Sequence, residues 1–312
     1  MIEYHEAVVI GGGPAGLTAG MYLRRAGIDA VLVEKSRPGG TVARTERVAN
    51  YPGFAKGISG LELMAEMTDQ AKGFGLEIRE YFHVVGLSRT ADGTFLISSD
   101  NSGELEAKGV IVATGTEWKK VGIPGERELA GRGVSYCATC DAAFFEGCDV
   151  AVIGGGDSAV EEALTLANLC RRVYVVHRRD RLRAQKIIQE TAFGRKNIEF
   201  LWNKKPLRIV GEDQVESLLL EDVRSGEKSE LKVEAVFAFV GLEANTEFLG
   251  DLVDREGGFA KAQEDLSSKT QGLFVAGDAR SKTLRQISTA VGDGALAAVN
   301  LQRYLLERGG HV

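Results

Sequence analysis

The sequence predicts an α/β fold made of two Rossmann-like, three-layer modules, one inserted in the other. Three observations predict it. First, Gly11-Gly12-Gly13-Pro14-Ala15-Gly16 returns in mid-chain as Gly154-Gly155-Gly156-Asp157-Ser158-Ala159. Second, each run follows a short apolar stretch and opens a stretch of helical spacing, the layout of a βαβ unit. Third, Glu34 lies 23 residues after Gly11 and His177 lies 23 residues after Gly154, so the whole unit reads as duplicated.

The elements follow in order. Residues 7–10 form a buried strand. Residues 16–25 have helical spacing, with Leu17, Met21 and Tyr22 among small residues, and Gly27 ends the helix. Residues 30–34 are the second strand. Residues 149–153 restart the unit, a helix runs through Ala163, Leu166 and Leu169, and residues 172–176 are the next strand. The apolar runs 109–115, 235–241 and 272–278 each read as a strand that ends in a ligand-facing turn, and a helix is expected from about Gly292 to Glu307. Candidate hinges near residues 117–120 and 242–245 bracket the second fingerprint. The expected organisation is 1–116 and 245–312 for one domain and 117–244 for the insert.

Bulk properties narrow the function. A chain of 312 residues accommodates two domains. The net charge of −6 gives no overall attraction to nucleic acid. No run of 18 apolar residues occurs, so no membrane partner is expected. The N-terminal Met1-Ile2-Glu3-Tyr4-His5-Glu6 lacks the basic start of a signal peptide, which points to the cytoplasm. Four cysteines do not make a disulfide scaffold, and a close pair in such a chain is catalytic or metal-binding.

The motifs carry the chemistry. In the first fingerprint, Gly11 permits a tight turn, Gly13 lets backbone approach a pyrophosphate, and Gly16 lets helix and strand pack closely. Free N–H groups at the start of a helix opening with Pro14 and Ala15 face the phosphates. Glu34 ends the next strand, where a carboxylate accepts hydrogen bonds from ribose hydroxyls. The second fingerprint offers Gly154, Gly156, Asp157, Ser158 and Ala159 in the same places, but its second strand ends in His177-Arg178-Arg179, with Arg183 nearby. Cations there hold a 2′-phosphate and favour NADPH over NADH. A solvated basic turn partly neutralised by Asp180 is the plainer reading.

Cys137 and Cys140 have the spacing of a redox dithiol. A structural zinc site needs four ligands and a second local pair. Cys148 and Cys170 are isolated and the four histidines scattered, so no metal is expected and these two cysteines read as buried small hydrophobes. A helix beginning at the pair would favour the thiolate through its dipole. Asp141 can serve as acid-base group for a neighbouring thiol or cap that helix.

Together these motifs resemble the low-molecular-weight thioredoxin reductases, the class II pyridine nucleotide-disulfide oxidoreductases. The resemblance runs from Glu6 to about Leu306. It rests on the first fingerprint, Asn50-Tyr51-Pro52-Gly53-Phe54, Gly131-Arg132-Gly133-Val134-Ser135 leading to Cys137-Ala138-Thr139-Cys140-Asp141, His177-Arg178-Arg179-Asp180 with Arg183-Ala184, and Gly277-Asp278 with Arg285-Gln286. It implies FAD on the outer module, NADPH on the insert, a homodimer, and electron flow from NADPH through flavin and the cysteine pair to thioredoxin. By the same resemblance, Gly11, Gly13, Gly16 and Glu34 hold the adenosine diphosphate half of FAD. Gly39, Gly40 and Asn50 lie near the flavin and its chain, with Thr41, Thr114, Gly115, Gly277 and Arg285 lining the cofactor. Asp278 binds ribitol-side hydroxyls or phosphate, Gln286 approaches the flavin ring, Asp141 is the acid-base residue, and Arg132 and Phe144 meet the protein substrate. The insert is expected to rotate between half-reactions. The chain departs from the family pattern at Thr41 (usually Gln), Ala142 (usually Gly) and Ala244 (usually Pro).

The rival readings are a dithiol oxidase, a reductase for a peroxiredoxin partner, a ferredoxin-linked flavoprotein and a non-enzymatic redox sensor. The basic cofactor signature argues against the first, the lack of an N-terminal thioredoxin-like region against the second, and the Cys-x-x-Cys against the third. The fourth leaves the nucleotide signature unexplained.

Overall fold

The sheet of the larger unit starts with Glu3–Ile10, whose last four residues are fully buried apolar side chains, as a central parallel strand requires. The computed structural model describes residues 2–45 and 48–308, and of residues 139 and 140 the backbone but not the side chains. The chain divides into two compact units, Met1–Glu117 with Glu243–Val312, and Trp118–Leu242. Both are α/β.

In the larger unit, Glu77–Arg79, Ala30–Val33, Glu3–Ile10, Glu104–Val112 and Leu273–Val275 follow one another as parallel neighbours. The strand Glu104–Val112 is shared. Its second half pairs in parallel with Leu273–Val275, while its first half pairs antiparallel with Phe95–Ser99, which in turn pairs with Val84–Arg89. Side chains alternate between the two faces. Ala7 and Val9 join Leu17, Leu23, Met64, Ala297 and Leu301 beneath the helices Pro14–Arg25, Gly60–Gly73 and Ile287–Glu307. Val8 and Ile10 join Leu87, Phe95 and Ile97 of the antiparallel meander.

The smaller unit repeats the plan. Its five parallel strands lie in the order Ile198–Trp202, Arg172–His177, Asp149–Gly154, Ala235–Phe239, Val134–Ser135. Val150, Val152, Val173 and Val175 pack under the helices Asp157–Leu166 and Lys186–Phe193. Ala151, Ile153 and Val176 face an antiparallel sheet of Lys204–Val210, Ser217–Asp222 and Lys228–Lys232. In each unit the chain order reverses beside the fingerprint strand, and ligands of open α/β sheets bind at such a switch point, outside the C-terminal strand ends.

Three expectations need adjusting. The last helix starts at Ile287 instead of Gly292, because Gln286 and Thr289 form a reciprocal capping box. The helix after the second fingerprint ends at Leu166, so Leu169 lies beyond it and is 40% exposed. The antiparallel meander and the antiparallel sheet were not expected from the sequence: Gly93, Gly103 and Gly226 mark their turns, but strands as polar as Lys228–Lys232 show no apolar alternation.

Candidate functional site: two nucleotide cradles and a cysteine turn

The first fingerprint folds as a strand, a turn and a helix with Pro14 at its first position, where the missing N–H costs nothing. Gly16 is required by packing, since a Cβ there would stand 1.8 Å from the Gly11 carbonyl oxygen. Gly13 is different. It caps the helix with φ −79°, an angle open to any residue, and no side chain caps the helix. An added Cβ would meet no protein atom within 4 Å. Protein packing therefore does not explain this glycine, whereas a ligand lying against bare helix N–H groups does.

Other expected residues converge on this turn. The Gly12 N–H donates to Glu34 Oε2 at 2.7 Å, and the Ser36 N–H donates to Oε1 at 3.0 Å. The Ser36 hydroxyl also donates to Oε1 at 3.2 Å, so Oε2 is the oxygen that keeps acceptor capacity. The Gly39 N–H donates to the Gly12 carbonyl at 2.8 Å, and a Cβ on Gly40 would lie 3.3 Å from Gly13 Cα. Thr41 is exposed in the following 3-10 turn. A Cβ on Gly277 would lie 2.9 Å from Ala15 Cβ, so the Gly277–Ala279 turn sits against the helix start. One oxygen of Asp278, Oδ1, is buried and accepts no hydrogen bond among the described residues. Thr114 and Gly115 are tied to Asn245: the Thr114 hydroxyl donates to the Asn245 carbonyl at 2.7 Å, and the Asn245 N–H donates to the Gly115 carbonyl at 3.1 Å. Asn50 Nδ2 donates to Gln286 Oε1 at 3.0 Å. Arg285 lies 4.0 Å over the Phe259 ring, a cation–π contact that fixes its guanidinium.

The second cradle repeats the open glycine. Gly156 caps the helix Asp157–Leu166 at φ −94° with no side-chain cap, and an added Cβ would meet nothing within 4 Å. Asp157 Oδ1 accepts the Gln185 N–H at 2.6 Å, and the Arg183 N–H donates to the Gly155 carbonyl at 2.7 Å, so the arginine loop is pinned to the glycine turn. Arg178, Arg179, Arg181 and Arg183 are exposed and form no ion pair among the described residues. Asp180 pairs instead with Arg224 at 3.0 Å, so it does not neutralise the cluster. Ser158 is half-buried and Ala159 buried in the first turn.

His177 takes a different part from its arginine neighbours. It is 6% exposed, and a Cβ on Gly155 would fall 2.4 Å from its ring. Burial, reinforced by the charges of Arg183 and Arg179, holds its pKa below the usual imidazole range despite contacts with the Arg181 and Gly154 backbone. It is a neutral spacer under the turn, and the expectation of a cation at this position is corrected.

Cys137 is disulfide-bonded, while Cys148 and Cys170 are free. The Cys140 side chain lies outside the described residues. The Cys137 N–H donates to Ser135 Oγ at 3.1 Å, and that hydroxyl donates to Asp141 Oδ2 at 2.6 Å. Asp141 thus does not cap a helix with its side chain but is held toward the Cys137 turn by a serine. The helix at the pair is the single turn Ala138–Asp141, and Glu162 Oε2 takes its Ala138 N–H at 3.0 Å. The expected dipole assistance is therefore small. Ala142 is buried and is not among the positive-φ residues, so alanine fits its turn without backbone strain. Cys170 is buried, as expected, but Cys148 is only partly so. Among the described residues no group of His, Cys, Asp or Glu could hold a metal ion, and no helix is long and apolar enough to cross a membrane.

The model of one family, the pyridine nucleotide-disulphide oxidoreductases, matches residues 5–294. The chain belongs to that family. Within these oxidoreductases it is similar to thioredoxin reductase from Bacillus subtilis (strain 168), 44% identical over 310 residues that span 98% of this chain and 96% of that protein. It is also similar to the crystal structure of Lactococcus lactis thioredoxin reductase, at TM-score 0.93 and 42% identity, covering 97% of this chain and 99% of that one. The T. acidophilum thioredoxin reductase structure matches at TM-score 0.90 and 32% identity, covering 98% of this chain and 100% of that one.

Sequence reasoning missed several supporting residues of this oxidoreductase. Ser135 precedes the cysteine pair and joined the family pattern without a role. Glu126, 2% exposed, accepts the Val121 and Gly122 N–H groups and the Tyr136 hydroxyl, fixing the chain beside Cys137. Asp293 accepts the Gly277 N–H at 3.0 Å, and Arg280 reaches it through Nε at 2.8 Å and Nη2 at 2.9 Å. Burial would push the Asp293 carboxyl up, but Arg280 and Lys282 hold it below the usual carboxylate range. None of these follows a motif spacing. Only Ser135 had a sequence signal, its place two residues before Cys137.

Proposed function

We propose that this chain is an NADPH-dependent flavoprotein that reduces the disulfide of thioredoxin through Cys137 and Cys140. One observation carries the reading. Two glycine N-caps, Gly13 and Gly156, are bare where no protein atom requires it, and the helix opened by the second holds the disulfide-bearing turn through Glu162. FAD, when bound, would supply two-electron transfer from NADPH to the cysteine disulfide; of the two thiols so formed, one would attack the disulfide of thioredoxin to give a mixed disulfide, and the other would displace reduced thioredoxin and restore the pair. Thioredoxin's potential near about −270 mV calls for such a strong reductant.

The chain's own residues bind and orient. Gly13 and the first helical N–H groups meet the FAD pyrophosphate, and Glu34 accepts from ribose hydroxyls. Asp278, whose side chain is 28% exposed, suits a hydroxyl donor of the ribityl chain through the oxygen that does not face Lys282, and Asn50 with Gln286 forms an amide pair for the flavin end. Arg178, Arg179 and Arg183 hold the 2′-phosphate. Ser135 holds Asp141 where its carboxyl can give a proton to, or take one from, a cysteine sulfur. Arg132 and exposed Phe144 meet thioredoxin. The chain works as a cytoplasmic homodimer, and the inserted unit turns about its two chain crossings between half-reactions. A covalent cross-link of the two units that left turnover unchanged would overturn the last point.

The test is a thioredoxin-coupled disulfide reduction assay on the yellow, FAD-loaded protein, with NADPH compared with NADH and Cys140→Ser alongside. NADPH preference, with flavin reduction kept and thioredoxin reduction lost in Cys140→Ser, supports the reading. A colourless protein that takes up no flavin, or full activity in the variant, overturns it.

A further inference from the structure

Lys282 carries an ammonium into an almost closed site, its side chain 6% exposed. Nζ lies 3.2 Å from Asp278 Oδ1 and 3.2 Å from Asp293 Oδ2, and it donates to Thr289 Oγ1 at 3.3 Å. A buried ammonium is costly unless its charge is matched and its donors used. Here Asp278 and Asp293 balance Lys282 and Arg280, so the cluster carries no net charge.

The two carboxylates do not depend on Lys282 equally. Asp293 already receives the two guanidinium donors of Arg280 and the Gly277 N–H. Asp278 Oδ1 is buried and accepts no aligned hydrogen bond, so the ammonium is the one cation that faces it among the described residues. Loss of Lys282 therefore falls on Asp278. The lysine also joins two segments. Asp278 stands on the Gly277–Ala279 turn, whereas Thr289 and Asp293 stand on the first turns of the helix Ile287–Glu307, whose N-cap is Gln286.

We propose that Lys282 is a positioning residue for the flavin cofactor: it holds Asp278 in place and locks the Asp278 turn to the helix start that bears Gln286. It touches neither the cofactor nor the reacting sulfurs. The proposal rests on the FAD reading given above.

The experiment titrates FAD into apo-protein by flavin fluorescence and follows thermal unfolding with and without FAD. Wild type, Lys282→Met, Asp278→Asn and the double variant form a cycle. Lys282→Met is expected to weaken FAD binding roughly 10- to 100-fold. The apo midpoint falls, because two carboxylates then face Arg280 alone, but it falls less than the FAD-loaded one, so the gain in midpoint on adding FAD shrinks. The double variant is no worse than the poorer single variant, because both changes remove one function. Unchanged FAD affinity in Lys282→Met, losses that multiply in the double variant, or an apo midpoint that falls as far as the FAD-loaded one overturns the proposal. If Lys282→Met does not fold, Lys282→Gln, which keeps polar contacts without the charge, takes its place in the cycle. A wild-type protein that binds no FAD refutes the flavin reading itself, a separate outcome.

Discussion

Gly156→Ala separates stability from cofactor binding. At φ −94° and ψ −178° an alanine is unstrained, and its Cβ would meet nothing within 4 Å. Alanine loses less backbone freedom on folding, worth about 0.4–1 kcal/mol, but it is a poorer N-cap than glycine by roughly half a kcal/mol. The two effects nearly cancel, so the thermal midpoint should hardly move. Nucleotide binding should move. The new methyl occupies the approach to the helix N–H groups, where a hydrogen bond to a charged group contributes about 1.5–3 kcal/mol. At about 1.4 kcal/mol per decade, loss of one such bond weakens NADPH binding roughly 10- to 100-fold. Calorimetric titration of NADP+, which binds through the same phosphates but cannot reduce the flavin, into the FAD-loaded variant measures this, with flavin absorbance as control, since the first fingerprint lies in the other unit. Gly16→Ala is the contrast. Its Cβ would collide with the Gly11 carbonyl oxygen at 1.8 Å and should destabilise the fold before any ligand is added. An alanine at position 156 that leaves NADPH affinity intact refutes the argument that a ligand requires this glycine.

Other outcomes follow from the same geometry. Replacing Arg178, Arg179 and Arg183 together by Met should raise the KM for NADPH far more than for NADH, and the remaining NADPH binding should lose most of its salt dependence; equal losses for both nucleotides would count against 2′-phosphate recognition. The depressed His177 pKa means that the unfolded chain binds a proton the folded chain refuses. Stability should therefore fall as pH drops below about 6.5, the unfolded value, and urea titrations from pH 8 to 5 should show a shallower fall in His177→Asn. Cys170 is buried and its thiol pushed up to about 11, so native protein at pH 7.5 should leave it unalkylated by iodoacetamide while urea-unfolded protein is labelled rapidly; rapid labelling of the native state would contradict its burial.

The duplication, the two glycine turns, the acid at the end of one second strand and the arginines at the end of the other were legible in the chain. Each is set by backbone geometry over a few consecutive residues, and a βαβ unit imposes its own spacing. What the spacing could not carry was partnership. Asn50 and Gln286 meet although 236 residues apart. Gly39 and Gly40 close over the first glycine turn, and the Gly277–Ala279 turn settles against Ala15. These contacts exist because parallel strands deliver their C-terminal loops to one edge, whatever their distance along the chain.

Charge state was also decided in three dimensions. His177 and Arg178 are neighbours in a basic run, yet the strand Arg172–His177, buried on both faces from Val173 onward, ends at His177, so the first is buried as a neutral ring and the second stands exposed in the turn beyond it. Ser135 and Asp141, or Lys282, Asp278 and Asp293, become functional groups only where folding removes water and leaves each polar atom to find its partner in the protein. The sequence by itself determined which backbone turns this chain makes and which cofactor class suits them, because those are local properties. Only the tertiary structure decided which side chains hold the turns in place, because burial and charge balance belong to neighbours in space.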